Sequence, residues 1–307
     1  MRRRALWLIW PLWFVLTTAA GADAPADCPP LPVPIDAAAP AQNHGMLWRL
    51  RRGGADSFLF ASLHLGRPAW ALPGPALREA WAQTDLLAVE LDVHDGATQR
   101  ALATAPLPIR PLSAALQRRL AAQVQAACLP PQALVGLHPL LQVSTLTLLA
   151  ARWDGLDAAF GQEEALLALA RAQGRKVLAL ETAQAQLKAL ITPDEREAAR
   201  HVAQALGQLE RGEVRAPMLR LANAWARGDM AELQSYERWC GCVQTESDRR
   251  WLRSLNDGRN PAMAARIKAL HDGGAQALVA VGALHMTGPQ ALPALLVRLG
   301  FELERIH

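Results

Sequence analysis

The chain has 307 residues, 51% hydrophobic and 20% charged, with a net charge of +4. That is enough apolar material for the core of one large domain or two small ones. The arginines are scattered, with no basic block and no aromatic ladder, so nucleic acid is not expected as a partner.

The first segment, residues 1–22, "MRRRALWLIWPLWFVLTTAAGA", has three arginines, an apolar run of about a dozen residues and a small-residue exit at Ala20-Gly21-Ala22, the layout of a cleaved secretory signal peptide. Its apolar run is shorter than the roughly 20 residues of a spanning helix. Taking its three arginines from the 32 Lys+Arg, against 28 Asp+Glu, lowers the net charge from +4 to +1. No later segment is long and apolar enough to span a bilayer, so the mature chain is expected to be soluble, without stable membrane insertion, and periplasmic or secreted. Residues 23–45, rich in Pro and Ala without periodicity, read as an extended lead-in to a domain over 46–307.

Within that domain, short apolar runs predict strands at Leu47–Leu50, Phe58–Leu63, Leu86–Leu91, Lys176–Leu180, Ala277–Val281 and Phe301–Ile306. Helical spacing covers Leu112–Ala126, Leu140–Ala151, Gln162–Ala172, Asp194–Leu209, Met218–Ala226 and Asn260–Leu270, with start signals at Ser113, Thr192-Pro193 and Asn260-Pro261. Strands separated by helices predict an α/β fold, with one central mixed sheet, flanking helices and a largely helical cap. Cys28, Cys128, Cys240 and Cys242, in a chain bound for an oxidising compartment, predict disulfides. A bridge inside Cys240-Gly241-Cys242 would be strained, so longer-range pairing is favoured. The same "WCGC" is one residue short of a redox WCxxC, which leaves a thiol oxidoreductase as a minor alternative.

Four ionisable residues end or interrupt apolar strands: His64 after "FLFASL", Glu90 in "LLAVEL", Glu181 after "KVLAL" and His285 after "ALVAVGAL". Ligands of α/β sheets gather beyond the carboxyl ends of the strands. A carboxylate in an apolar setting needs a partner, and imidazole with carboxylate suits a divalent ion such as manganese, cobalt or zinc. Such an ion acidifies water, and a spare Glu then serves as base, which is hydrolytic chemistry. Against this, a single strand-end His is more often a hydrogen-bonded structural residue. Asp92 and His94 would share the Glu90 face if that strand continued, but Asp95-Gly96 places His94 in a turn. His44, His138, His201, His271 and His307 have no comparable setting.

The ordered blocks "FLFASLHLG", "LAVELD", "GLDAAF…LALARAQGRKVLALETAQAQL", "LANAWARGDMAEL", "DGRNPAMAARI" and "VAVGALHMTG…LLVRLGFELERI" resemble the TraB/GumN family and are similar also to the Tiki metalloproteases. The resemblance spans about Leu47 to Ile306. It implies a divalent-metal hydrolase acting on a peptide or protein, with two G-x-x-H motifs and glutamates at the site. The second motif falls on Gly282–His285 and the first on Ala61–His64, where Ala replaces Gly in what reads as plain strand. The acidic positions fall on Glu90 and Glu181, as catalytic groups and metal ligands beside His64 and His285. Gln186 lies in "ET-x-x-x-Q" and Arg259-Asn260 in "RN", the candidate substrate-binding residues, although Arg259 also reads as a helix-start salt bridge. Tyr236 reads as packing. The rival to a hydrolase is a non-catalytic protein whose cleft holds a peptide or a haem.

Overall fold

Gly53 and Gly54, both at positive φ (59° and 82°), join β1 (Met46–Arg52) to β2 (Ala55–Ser62) as a two-residue hairpin turn, with Arg52 opposite Ala55. Both strands thereby run longer than their apolar runs alone predict. The computed structural model describes residues 28–29, 32–33, 35, 40–105, 111–192 and 194–307. The expected signal segment lies outside them.

The chain continues through α1 (Pro75–Ala82), β3 (Leu86–Val89), α2 (Gly96–Thr104), α3 (Ala114–Ala126), α4 (Pro139–Ala150), α5 (Gln162–Ala172), β4 (Lys176–Ala179) and α6 (Ala183–Leu190). It then passes α7 (Glu195–Glu210), α8 (Arg215–Ala226), α9 (Met230–Gln234), α10 (Tyr236–Trp239) and α11 (Glu246–Leu255), and closes with α12 (Asn260–Asp272), β5 (Ala277–Gly282), α13 (Leu292–Arg298) and β6 (Glu302–Arg305). One mixed sheet of order β4-β3-β5-β2-β1-β6 results, the expected α/β architecture. Strands β4, β3, β5 and β2 run parallel, while β1 is antiparallel to both β2 and β6. Central β5 buries Ala277–Val281, the near-continuous apolar run of a strand covered on both faces.

The main core lies on this sheet, where Phe58, Phe60, Leu87, Leu166 and Ile267 are among the buried residues. A second apolar cluster joins α3, α4, α6 and α7 through Leu120, Val124, Val143, Leu146, Leu187 and Leu206. The helical middle of the chain therefore has a core of its own, as a cap does. Ser113 caps α3 by accepting from the Leu116 N–H. For α7, Asp194 accepts from the N–H groups of Arg196 and Glu197; Pro193 of the Thr192-Pro193 signal lies outside the described residues. The Asn260-Pro261 signal reads differently in space, because Arg259 takes the cap position and Asn260 the first helical one.

Two disulfides form. Cys28–Cys128 spans 100 positions, as the preference for long-range pairing expected. Cys240–Cys242 is the short bridge that the same preference disfavoured; Gly241 at φ 66° turns the chain tightly enough to bring the sulfurs together. Among the described residues no helix is long and apolar enough to cross a membrane.

Candidate metal centre

In the parallel register Ser62 faces Gly282 across β2 and β5, while Val89 faces both Ala280 and Ala179. Strands β2 and β5 thus end together, β3 and β4 end together two residues earlier, and the chain just beyond these ends carries His64, Glu90, Glu181 and His285. Strand β3 ends at Val89 rather than Leu91, so the chain bends at Glu90 and turns before α2, and Asp92 and His94 do not continue a strand face. His94 sits in that turn, with Nε2 2.8 Å from Glu164.

The Glu90 carboxylate is buried and reached from several sides. Its Oε1 accepts from the Gly282 N–H at 2.8 Å and lies 3.6 Å from His285 Nε2, while Oε2 accepts from Arg259 at 2.5 Å. A Cβ at position 282 would lie 3.1 Å from Glu90 Oε1, so a bare glycine leaves room for the carboxylate. Burial alone would push the Glu90 carboxyl up, but His285, Arg259 and His64 hold it well below the usual range. Asn260 orients His285. Its Nδ2 donates to the carbonyls of His285 and Gln290, which leaves Oδ1 to accept from His285 Nδ1 at 2.5 Å. The proton of a neutral His285 is therefore on Nδ1, and the Nε2 lone pair faces Glu90 and Arg259.

One residue of the cluster was not singled out from sequence. Glu163, in the first turn of α5, accepts from Ser62 Oγ at 2.5 Å and lies 3.8 Å from His64 Nδ1. One ligand atom from each of His64, Glu90 and Glu163 falls within 4.8 Å of the others, a grouping able to hold a metal ion. The neighbouring Gln162 accepts from the Leu63 N–H, and a Cβ at Gly161 would lie 2.7 Å from the His64 carbonyl, so small size there lets α5 close on the His64 turn. A signal for Glu163 was available: Leu166, Leu167 and Ala170 follow it at helical spacing and are buried, which puts the carboxylate on the inward stripe.

Glu181 lies beside this grouping, with both oxygens in the fork of Arg259 at 2.5 to 3.1 Å. Arg259 also donates to the Leu255 carbonyl at 3.0 Å and stands 3.3 Å from His285 Nε2, so its donors are engaged with groups of the chain itself. Although burial opposes its charge, Glu90 and Glu181 raise the guanidinium above its ordinary value. Gln186 is half-buried in α6, one turn beyond Thr182. Ala61 is ordinary strand, paired with Met46 and Val281, and its carbonyl accepts from Trp225 Nε1. Tyr236 packs edge-on against Trp239 at 5.1 Å.

The site fits a divalent cation by charge. The side chains of Glu90, Glu163 and Glu181 are 3%, 8% and 4% exposed, and Arg259 pairs with two of them, Glu90 and Glu181, so buried carboxylates outnumber the guanidinium. Burial and the nearness of Glu90 push the Glu163 carboxyl up, against the pull of His64, the Ser62 hydroxyl and His285. His64, whose side chain is 51% exposed, opens the grouping to solvent.

The TraB/PrgY/gumN family model matches residues 46–305, most of the chain, and the chain belongs to that family. No match was found among curated proteins or among solved structures.

Proposed function

We propose that this chain is an exported, divalent-metal-dependent hydrolase of peptide or protein substrates. The observation that carries the reading is the convergence of His64, Glu90 and Glu163 within 4.8 Å, two buried carboxylates beside a histidine open to solvent. Family membership supports it. Support for export comes from the two disulfides, which form and persist in oxidising compartments, and from the signal-like residues 1–22.

His64, Glu90 and Glu163 are the residues that would hold the ion. A bound divalent ion supplies an acidified water and polarises a carbonyl. As a ligand, Glu163 is held in place by the Ser62 hydroxyl, and burial pushes its carboxyl up. His285 presents Nε2 beside Glu90, its ring held by Asn260. Arg259 and Glu181 are positioning residues that fix the outer oxygen of Glu90. The exposed edge at His64 is where a substrate carbonyl enters.

The test is elemental analysis of the purified mature chain with hydrolysis of a mixed peptide library, before and after a chelator and after re-addition of manganese, cobalt or zinc. Stoichiometric metal and cleavage should vanish together and return together. A chain that takes up none of the three ions ends the proposal; one that holds metal without cleaving any peptide or protein is a binding protein.

A further inference from the structure

Between α10 and α11 lies a cleft of about 40 Å³, walled by the apolar Leu233, Leu252 and Leu284 and bordered by Tyr236, Asn256 and Thr287. Its charged neighbours are engaged. Glu237 faces Arg249 and Arg253 at 3.8 and 3.9 Å, and Asp257 accepts from the Gln290 N–H at 3.0 Å. Thr287 Oγ1 donates to the Leu284 carbonyl at 2.8 Å, while Gln234 stands at the exposed rim. Tyr236 and Asn256 differ from these: among the described residues, neither the phenol nor the side-chain amide has a hydrogen-bond partner. Burial pushes the Tyr236 phenol up, so the hydroxyl stays neutral in a poorly hydrated setting, where an unmade hydrogen bond is costly.

The phenol is also fixed. Its ring packs edge-on against Trp239 at 5.1 Å, and Trp239 Nε1 donates to the Glu232 carbonyl and to Ser235 Oγ. The Cys240–Cys242 bridge closes the turn between the two helices. A wall formed in advance loses little freedom when a ligand enters. The cleft and the metal centre share two segments of chain. Leu284 and Thr287 bracket His285 in the turn after β5. Asn256 follows Leu255, whose carbonyl accepts from the Arg259 guanidinium, and its own carbonyl accepts from the Arg259 N–H at 3.1 Å. A substrate residue in the cleft is thereby held against the segments that present His285 and Arg259.

The room suits one side chain rather than a helix or a strand. At about 10–15 Å³ for each water, it takes roughly three waters or the end of a single side chain. We propose that the α10–α11 cleft is a substrate subsite, selective for a peptide residue whose short uncharged side chain carries a hydrogen-bonding group, as threonine and asparagine do. This rests on the peptide-hydrolase reading above. Tyr236 and Asn256 bond the polar group, and the three leucines take the apolar stem. A charged side chain is refused because it would be stripped of water with no unpaired countercharge to meet it.

Tyr236 is the only tyrosine of the chain, so protein grown on isotope-labelled tyrosine carries one NMR reporter, and it lies in the cleft. The full mature protein is titrated with blocked Gly-X-Gly peptides, X being threonine, asparagine, leucine, aspartate or lysine, and cleavage is followed in the same samples by mass spectrometry. Threonine and asparagine peptides should shift the reporter saturably, and aspartate and lysine peptides should leave it unmoved. Asn256→Ala should weaken the threonine and asparagine peptides by about 5–10-fold relative to leucine, the worth of one hydrogen bond. Charged peptides that shift the reporter as strongly, an Asn256→Ala protein that discriminates like wild type, or cleavage with no shift from any peptide would each overturn the subsite and leave the hydrolase reading standing. A selective shift without cleavage would sink the hydrolase reading and leave the cleft as a peptide-binding site. Neither shift nor cleavage would remove both.

Discussion

Two histidines lie at the ends of neighbouring parallel strands, but they are embedded differently. His64 is half exposed and meets the protein chiefly through Glu163, whereas His285 is buried and bonded to Asn260. His64→Ala should therefore abolish metal binding while moving stability by no more than about 0.5 kcal/mol. His285→Ala leaves Asn260 Oδ1 buried without its donor, a loss of about 1–3 kcal/mol. Denaturant unfolding of the metal-free proteins, alongside metal stoichiometry, separates the two; equal stability losses would show that the His64 environment is misjudged. Gly282→Ala sets a methyl 3.1 Å from Glu90 Oε1 in place of open space, so the carboxylate must shift and metal affinity should fall by about 10–100-fold with the fold intact, as read by metal titration. At this scale the sequence was informative where chemistry broke a pattern. A charge at the end of an apolar strand is conspicuous, which is how His64, Glu90, Glu181 and His285 were found. Glu163 was hidden because an acid in the first turn of a helix has an ordinary explanation in the helix dipole, and only its inward register distinguishes it. Arg259 was legible as a helix-start salt bridge, but its partner Glu181 was not, since the pair brings together residues 78 positions apart.

Helix α11 shows what apolar periodicity misses. Its sequence, "ESDRRWLRSL", has too few apolar residues to announce a helix, and the local signal is the capping box of Thr245 and Asp248. Asp248 is buried and does more than cap: one oxygen accepts from the N–H groups of Gln244 and Thr245, the other from Arg200 of α7 at 3.0 Å, and His201 Nδ1 lies 3.6 Å away. Asp248→Ala should lower stability by about 2 kcal/mol in denaturant titration, because it removes the cap acceptor of two backbone N–H groups and the buried partner of Arg200. The cluster also sets a pH dependence. Burial first, then Arg200, hold the His201 imidazole below its ordinary value, against Asp248 and Glu197. The unfolded chain then binds that proton more readily, so the contribution of His201 is complete above about pH 6.5 and is lost as pH falls toward the depressed folded value. Asp248 has the same sign at lower pH. Burial would raise it, but Thr245, Arg200 and the Gln244 N–H hold it down, and its contribution is lost as pH falls below about 4 toward its folded value. His201→Gln should flatten the fall in Tm between pH 7 and 5; an unchanged slope would place the titrating group elsewhere.

At the scale of the molecule, the sheet with its core and the helical region with its own core are held together by more than packing. The six-stranded sheet was largely legible, because buried parallel strands are apolar throughout, but its order was not, since pairing β5 between β3 and β2 brings together segments about 190 to 220 positions apart. The Cys28–Cys128 pairing was one of three possibilities for the same reason. It fastens the segment leading into β1 to the residue two past the end of α3, a helix of the second core. A crosslink over a loop of this length restricts the unfolded chain strongly, by roughly 4–5 kcal/mol on the chain-entropy account. The Cys28→Ser/Cys128→Ser double variant should therefore unfold at distinctly lower denaturant than wild type. The strand-end site is built on β2, β3, β5 and the start of α5, whose bonds to Glu90 and Glu163 do not pass through either cysteine. Metal uptake by the folded variant should accordingly match wild type. Loss of metal binding at a denaturant concentration where the variant is still folded would mean that the clasp, and with it the helical region, shapes the site rather than merely securing the chain around it.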